Sequence, residues 1–366
     1  MASPIRLFVS AGERSGDLRA GALIESLRKE VPHLEMRGLG GERLTACGLV
    51  SEAGIDRLAV MGFVEVIRHL LFFSRLLGRL TSILRTWEPH RVLLVDYPGF
   101  NLRLARKAAG LGIPVTYYIS PQVWAWGRGR LSTLRSTVDQ MLVLFDFEKE
   151  LYDQAGIEAE HVGHPLVDEV SPAMPPEVFR AELGTGAAPV LALLPGSRVQ
   201  EIRNHMRVMA ATADRVGGMV PVVGLAPGVD TSIVPDGMRW THHVYDLLAV
   251  ASVAVVASGT VTLEAAVLGT PMVVVYRTHA LSAFLARRML TIPYVAMANV
   301  VAGRRIVPEC LQSDFTPQRV ANEVIRLRDD PVAVTQVRRD LAEVARRLGP
   351  PGASVRAARA LASRLS

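Results

Sequence analysis

Short apolar runs alternate along the chain with longer stretches in which apolar residues recur every three or four positions. The runs are "IRLFVS", "RVLLVD", "PVTYYIS" and "QMLVLF" in the first half, then "PVLALLP", "VPVVGLA", "VAVVAS" and "PMVVVY". Short apolar runs bounded by turn residues predict strands buried on both faces, and the periodic stretches between them predict amphipathic helices. Regular alternation of the two predicts βα units that build parallel sheets. Residues 168–189, "DEVSPAMPPEVFRAELGTGAAP", interrupt the pattern with Pro, Gly and Ala before a fresh strand, which marks a domain boundary. The expectation is an α/β protein of two Rossmann-like doubly wound domains, over 1–168 and 189–345, with a C-terminal helix in 346–366. No repeat of 20 to 50 residues is visible.

Two longer helical patterns stand out. In "FVEVIRHLLFFSRLLGRLTSILR", residues 63–85, Leu70, Phe73, Leu77, Leu80 and Leu84 share a stripe that should pack on the sheet. Arg68, Phe72, Arg75 and Arg79 share another, and a basic stripe with an exposed aromatic suits docking on anionic phospholipid, a solvated arginine face being the alternative. The segment "VTQVRRDLAEVARRLGPPGASVRAARALASRL" predicts two basic amphipathic helices split at Gly349-Pro350-Pro351.

Composition narrows the class. At 366 residues the chain exceeds one ordinary core, and 49% apolar against 21% charged residues is a globular profile. Its two cysteines, Cys47 and Cys310, have neither disulfide-framework nor zinc spacing, which fits a reducing cytoplasm. No charged n-region with an apolar h-region opens the sequence, and no apolar run approaches 18 residues, so neither secretion nor membrane spanning is expected. The balance of 41 basic to 35 acidic residues, net +6, favours an acidic partner. No nucleic-acid reading motif or aromatic-interleaved basic run occurs, so a nucleotide diphosphate or anionic lipid is the better match.

In doubly wound sheets ligands bind beyond the carboxyl ends of the strands, and the polar motifs fall there. "SAGERSGD" follows the first run, Asp96 closes the second, "SPQVWAW" follows the third, and "PGSR" and "SGTVTLE" follow two runs of the second half. In "SAGERSGD", Ser15 or Asp17 can cap a helix starting near Leu18, Gly16 belongs to the turn, and Glu13 leans towards ligand contact. The segment lacks GK[ST], and "GLGG" at 38–41 lacks the third glycine and acidic partner of a dinucleotide turn. In "SGTVTLE" the N–H groups of Ser258, Gly259 and Thr260 at a helix start suit a diphosphate, and Glu264 one turn on can accept both ribose hydroxyls. With Gly269 and Pro271 this arrangement resembles the nucleotide-sugar site of GT-B glycosyltransferases, although a capped helix with a surface Glu would look similar. Arg198 can grip phosphate oxygens bidentately, while Ser197 beside it can serve as a helix cap. There is no DxD, and no His/Asp/Glu set has ligand spacing. The diphosphate charge is therefore expected to be met by Arg and helix dipoles without metal, and no cofactor is called for.

"AGERSGD", "AVMGFVEV", "DYPGFNLRLA", "SPQVWAW", "FEKELYDQAG", "VGHPL", "LLPGSR", "ASGTVTLE", "PMVVVYR" and "AGRRIVPECLQ" occur in this order from about residue 5 to 328. In order and spacing the chain resembles the lipid-A-disaccharide synthase family. The resemblance implies a GT-B fold of two facing domains with C-terminal helices crossing back onto the first. It implies inverting transfer of 2,3-diacylglucosamine from UDP-2,3-diacylglucosamine to the 6-hydroxyl of 2,3-diacylglucosamine 1-phosphate, at the cytoplasmic face of the inner membrane. A homodimer is also compatible with it. It makes Asp96 the general base, gives Arg198 the diphosphate, gives Ser258, Gly259, Thr260 and Glu264 the phosphate and ribose, and puts Asn299 and Arg304 near the reacting centre. Substrate contacts are expected from the motif residues Glu13, Ser15, Gly16, Asp17, Met61, Glu65, Ser120, Gln122 and Trp124, with core anchoring an equal reading for Trp124 and Trp126. His164 in "VGHPL" reads more readily as structural than catalytic. Ala298 replaces a family proline and Gly99 a family acid, which bears on loop geometry and acceptor identity. A UDP-GlcNAc 2-epimerase shares this architecture and is the alternative enzyme class. A non-catalytic nucleotide or lipid binder is the other, and retention of Asp96 and Glu264 speaks against it.

Overall fold

The computed structural model describes residues 4–54, 65–278 and 292–365, excepting the side chains of 65–70 and of Arg128. The chain forms two compact units, Met1–Pro165 with Gly349–Ser366, and Leu166–Leu348.

In the first unit the strands are β1 (Ile5–Ala11), β2 (Leu34–Leu39), β3 (Leu49–Ala53), β4 (Arg91–Val95), β5 (Val115–Tyr118), β6 (Gln140–Val143) and β7 (Ala159–His161). They pair in the order β3-β2-β1-β4-β5-β6-β7, all parallel. The order reverses between β1 and β4, where Ala11 lies beside Val95. Such a switch point opens a crevice at the strand ends, and Gly12 and Asp96 are the next residues on either side of it. Helix Glu65–Trp87 buries Leu76, Leu80 and Leu84, with Phe73 and Leu77 partly buried, against Phe8, Val92, Leu94, Phe100 and Leu104. The predicted apolar stripe therefore packs on the sheet wherever its side chains are described, Leu70 lying outside them. Helix Ala353–Ala362 packs on helix Arg14–Glu30, and Arg356 Nε donates to Val162 O at 2.9 Å while Gln140 Nε2 donates to Ala360 O at 2.9 Å.

In the second unit the strands are β8 (Val190–Leu194), β9 (Val220–Gly224), β10 (Arg239–Thr241), β11 (Ala251–Ala257), β12 (Met272–Tyr276) and β13 (Glu309–Leu311), ordered β10-β9-β8-β11-β12-β13 and again parallel. Its switch point lies between β8 and β11, where Leu194 pairs with Val256. The "PGSR" and "SGT" turns leave the sheet at that place. Residues read from sequence as interdomain boundary instead supply two short helices, Leu166–Glu169 and Pro176–Glu182, to this unit. Phe179 is fully buried, and Arg180 donates to Val250 O at 2.9 Å, which ties the segment down despite its Pro and Gly content.

All eight apolar runs are strands. Five further strands carried no such run: β3, β7, β10 and β13 are the edges of the two sheets, and β2 alternates buried and exposed residues. Edge strands are short and face solvent on one side, so their sequences need no continuous apolar stretch.

Candidate active site

Asp96 stands at the first switch point on unusual backbone. Its φ is +48° and that of Tyr97 is +50°, a left-handed pair of non-glycine residues directly after a fully buried strand. The conformation is over-determined by hydrogen bonds. Asp96 N donates to Tyr118 O at 3.0 Å, continuing the ladder, while Asp96 O accepts from Asn101 Nδ2 and from Tyr117 Oη, both at 2.7 Å. Asn101 is fully buried and reaches Ser10 O and Val95 O as well, both at 3.2 Å, and accepts from Ser10 Oγ at 2.7 Å. It thus pins the ends of β1 and β4 together. The turn after β1 must be glycine, because a Cβ on Gly12 would sit 2.2 Å from the Tyr97 ring. Asp96 is half-buried. Desolvation raises its carboxyl above the usual range, opposed by the Tyr97 N–H and the charge of Arg19. A carboxylate so placed is a stronger base than one in water.

The second switch point opens a cleft of about 560 Å³, lined among others by Gly196, Ser197, Tyr245, Ser258, Gly259, Thr260 and Glu264. Gly196 has φ +122°, and a Cβ there would meet Glu201 at 2.9 Å. The following helix, Val199–Val216, has Arg198 as its N-cap residue, and Glu201 accepts the Arg198 N–H at 3.4 Å. Arg198's side chain is exposed, with a loose 3.4 Å contact to Glu201, and so is available to an anion. In the other turn Ser258 N donates to Val275 O at 2.9 Å and Ser258 Oγ to Val295 O at 3.0 Å. The expected use of the Ser258 N–H for phosphate is therefore corrected: the sheet consumes it. The N–H groups of Gly259 and Thr260 make no hydrogen bond among the described residues. Glu264 lines the cleft with its carboxyl pushed up to about 7, by burial first and the charge of Glu169 second. The same two carboxylates, after burial, lift Tyr245 to about 12.

A family profile described as lipid-A-disaccharide synthetase matches residues 7–348. The lipid-A-disaccharide synthase of Myxococcus xanthus is 40% identical over 371 residues, covering 98% of this chain and 97% of that one. The chain belongs to the lipid-A-disaccharide synthase family. That makes it a glycosyltransferase with a UDP-sugar donor and a glycosyl acceptor. Solved structures share its fold at low identity. The calicheamicin glycosyltransferase CalG4 superposes with a TM-score of 0.62 at 16% identity, over 100% of this chain and 99% of that chain. A putative UDP-N-acetylglucosamine 2-epimerase from Listeria monocytogenes has a TM-score of 0.62 at 13% identity, over 98% and 95%. The two-domain GT-B class expected from sequence is the class these neighbours occupy, in two parallel-sheet α/β units.

Several synthase-family motif residues are turned inward. The helix after β1 begins at Arg14, four residues before the expected start, with Glu13 as N-cap residue and both Glu13 and Ser15 exposed. Asp17 is no cap of its own helix. Buried, it accepts from Gly41 N at 2.7 Å, Arg43 N at 3.0 Å and Leu44 N at 3.2 Å, closing the N-terminus of helix Glu42–Ala46. Gly16 packs within the first turn beneath it, 3.7 Å in Cβ terms from Val95 O. Ser120 Oγ and Trp124 Nε1 both donate to Glu148 Oε1 at 2.9 Å, and all three residues are buried. Gln122 is exposed. Burial pushes Glu148 up to about 7, while these donors and the N–H groups of Phe145 and Leu144 pull it down. Ser120 and Trp124 therefore position the "SPQVWAW" loop instead of presenting polar atoms to a sugar. Met61 and the side chain of Glu65 lie outside the described residues. His164 is buried against Phe145 and held down to about 3, chiefly by desolvation and then by Arg19, which fits its structural reading.

Asn299 is fully buried with its amide saturated, donating to Val307 O at 3.0 Å and Glu309 Oε1 at 2.8 Å, and accepting from Ile306 N at 2.8 Å and Val307 N at 3.0 Å. Glu309 in turn accepts from Ala296 N at 3.0 Å, beside the Val295 carbonyl that holds Ser258. Asn299 thus supports the Ser258 turn from behind, through Glu309 and residues 295 and 296. Arg304 is bound to Asp340 at 2.6 Å and 3.2 Å, so it braces helix Pro331–Arg347 and its expected contact near the reacting centre is redirected there. The basic stripe read from sequence also changes. Arg79 pairs with the half-buried Glu52 at 2.8 Å while staying exposed itself, and Phe72 is half-buried against Phe73; Leu71, Arg75 and Arg85 are exposed, and the Arg68 side chain is outside the described residues. Asn101, Tyr117, Arg19 and His205 are functional neighbours that sequence reasoning missed. Asn101 falls inside the "DYPGFNLRLA" motif, five residues after Asp96, and that position within a motif was the available signal.

Proposed function

We propose that this chain transfers 2,3-diacylglucosamine from UDP-2,3-diacylglucosamine to the 6-hydroxyl of 2,3-diacylglucosamine 1-phosphate, inverting the anomeric centre and releasing UDP. Family kinship over nearly the whole chain is the observation that carries this reading. The residue roles draw support from the two switch points. Asp96 takes the hydroxyl proton while the acceptor oxygen attacks the anomeric carbon, and the bond from that carbon to the β-phosphate oxygen breaks with its electron pair leaving on UDP. One displacement gives one inversion. Arg198 and the N–H groups of Gly259 and Thr260 offset the charge gathering on the diphosphate. Glu264 accepts from the ribose.

Both substrates are acylated, so the reaction belongs at a membrane surface, and the inner face of the inner membrane is the proposed place of work. No described helix is long and apolar enough to cross a bilayer. The exposed Leu71, Arg75 and Arg85 of helix Glu65–Trp87 supply a basic face with an apolar residue for anionic phospholipid. Purified protein incubated in detergent micelles with both acylated substrates should release UDP and form the disaccharide. UDP-GlcNAc alone should stay unepimerised. Failure to turn over the two lipids together, or formation of UDP-ManNAc, would overturn the assignment.

A further inference from the structure

His205 is fully buried. It lies on the inner face of helix Val199–Val216 with Ile202, Met206 and Met209, where an apolar residue would pack as well. Its two nitrogens are spent on backbone instead. Nδ1 is 2.7 Å from Pro195 O, and Nε2 accepts the Arg277 N–H at 3.1 Å. A carbonyl can only accept and an amide N–H can only donate, so the ring carries its proton on Nδ1. Pro195 opens the turn after β8 and Arg277 follows β12, and these are the two strands that flank β11. The bridge therefore spans the place where Ser258, Gly259 and Thr260 leave the sheet. Tyr276 and Phe315 hold the imidazole with ring centroids 5.5 Å away. Arg277 is fixed from its far side, donating to Gln312 O at 3.2 Å and to Phe315 O.

We propose that His205 is a positioning residue of the donor site, setting the separation of the Pro195–Arg198 and Tyr276–Thr278 segments so that Arg198 and the Gly259 and Thr260 N–H groups converge on one diphosphate. This rests on reading the cleft as the UDP-sugar site. A buried carbonyl and amide lose their partners if only the ring's volume is kept.

UDP binding to the full-length protein, measured by titration calorimetry, tests it. His205→Leu keeps burial and removes both bonds, and should weaken UDP about tenfold and raise the donor KM to match, with the acceptor KM unchanged. His205→Gln can donate to one segment and accept from the other, and should restore UDP affinity to within about threefold of the parent. If His205→Leu does not fold, His205→Asn, which reaches only one of the two segments, replaces it, with weakened UDP binding again expected. Unchanged UDP affinity in the Leu or Asn variant, or loss in the Gln variant equal to that in Leu, overturns the proposal. Arg198→Ala separates this from the parent reading: if UDP affinity ignores that change, the cleft is not the nucleotide site, whereas a response to Arg198→Ala without one to His205→Leu removes only the positioning role.

Discussion

Asp96 and Tyr97 sit in a region of backbone space that costs non-glycine residues about 1 kcal/mol or more each. The hydrogen bonds from Asn101 and Tyr117 to the Asp96 carbonyl offset that cost and fix the backbone that carries the carboxylate. Because those bonds run through the main chain, Asp96→Asn leaves them intact while removing the base. Transfer should fall about 10²- to 10⁴-fold with UDP affinity nearly unchanged, in parallel rate and calorimetric assays, and a near-normal rate would take Asp96 out of the mechanism. Glu264 makes a prediction in pH. Its carboxyl is held up to about 7, and ribose hydroxyls donate best to the ionised form, so binding favours the deprotonated state and releases a proton. UDP affinity should therefore rise from about pH 6 to about pH 8 and level off above, and Glu264→Gln should remove the part of that rise due to this carboxyl. A titration whose slope is identical in parent and variant would reject the ribose role.

At the scale of elements, buried or half-buried acids tie loops to helix ends. Asp17 closes helix Glu42–Ala46, Glu148 holds the Ser120–Trp126 loop, and Glu309 holds residues 295 and 296. Glu148 is the most heavily used of these. Glu148→Ala would orphan the Ser120 hydroxyl, the Trp124 indole and the Leu144 and Phe145 N–H groups in a buried site. The cost should be about 3 kcal/mol or more in urea unfolding, with the emission of the tryptophans shifting as the loop loosens. An unchanged midpoint would mean that water or rearrangement satisfies all four. The sequence announced eight of the nine interior strands because they are buried on both faces and continuously apolar, and missed the ninth, β2, whose polar residues interrupt the run. It was silent on the edges, where pairing on one side suffices, and it misplaced the start of helix Arg14–Glu30 because Ser15 and Asp17 look like caps. Asp17 does cap a helix, but one that begins 25 residues later in the chain.

For the whole molecule, the net charge of +6 bears on the proposed membrane face. Arg75 and Arg85 are exposed on helix Glu65–Trp87, Arg75 one turn from the exposed Leu71, while Arg79 is already paired with Glu52. Reversing Arg75 and Arg85 together should weaken sedimentation with phosphatidylglycerol vesicles at low salt by about 30-fold or more, since each basic residue near such a surface contributes about 1 kcal/mol. The difference should vanish as salt screens the surface. Equal sedimentation of parent and variant at low salt would discard this face as the docking surface.

Periodicity and motif order by themselves determined the class, two parallel α/β sheets of the GT-B kind, and the family, because buried strands and ligand-edge turns leave local signatures that survive in one dimension. They also singled out Asp96, Arg198 and Glu264, through their place in motifs that follow strand ends and through the family resemblance. Only the tertiary structure decided which polar groups remain available. Ser258 N–H, Ser120, Trp124, Asn299 and Arg304 look available in sequence and are engaged with partners remote in the chain, and the same remoteness hid His205 and Asn101. A hydrogen bond has two ends, and a local reading of sequence sees one of them.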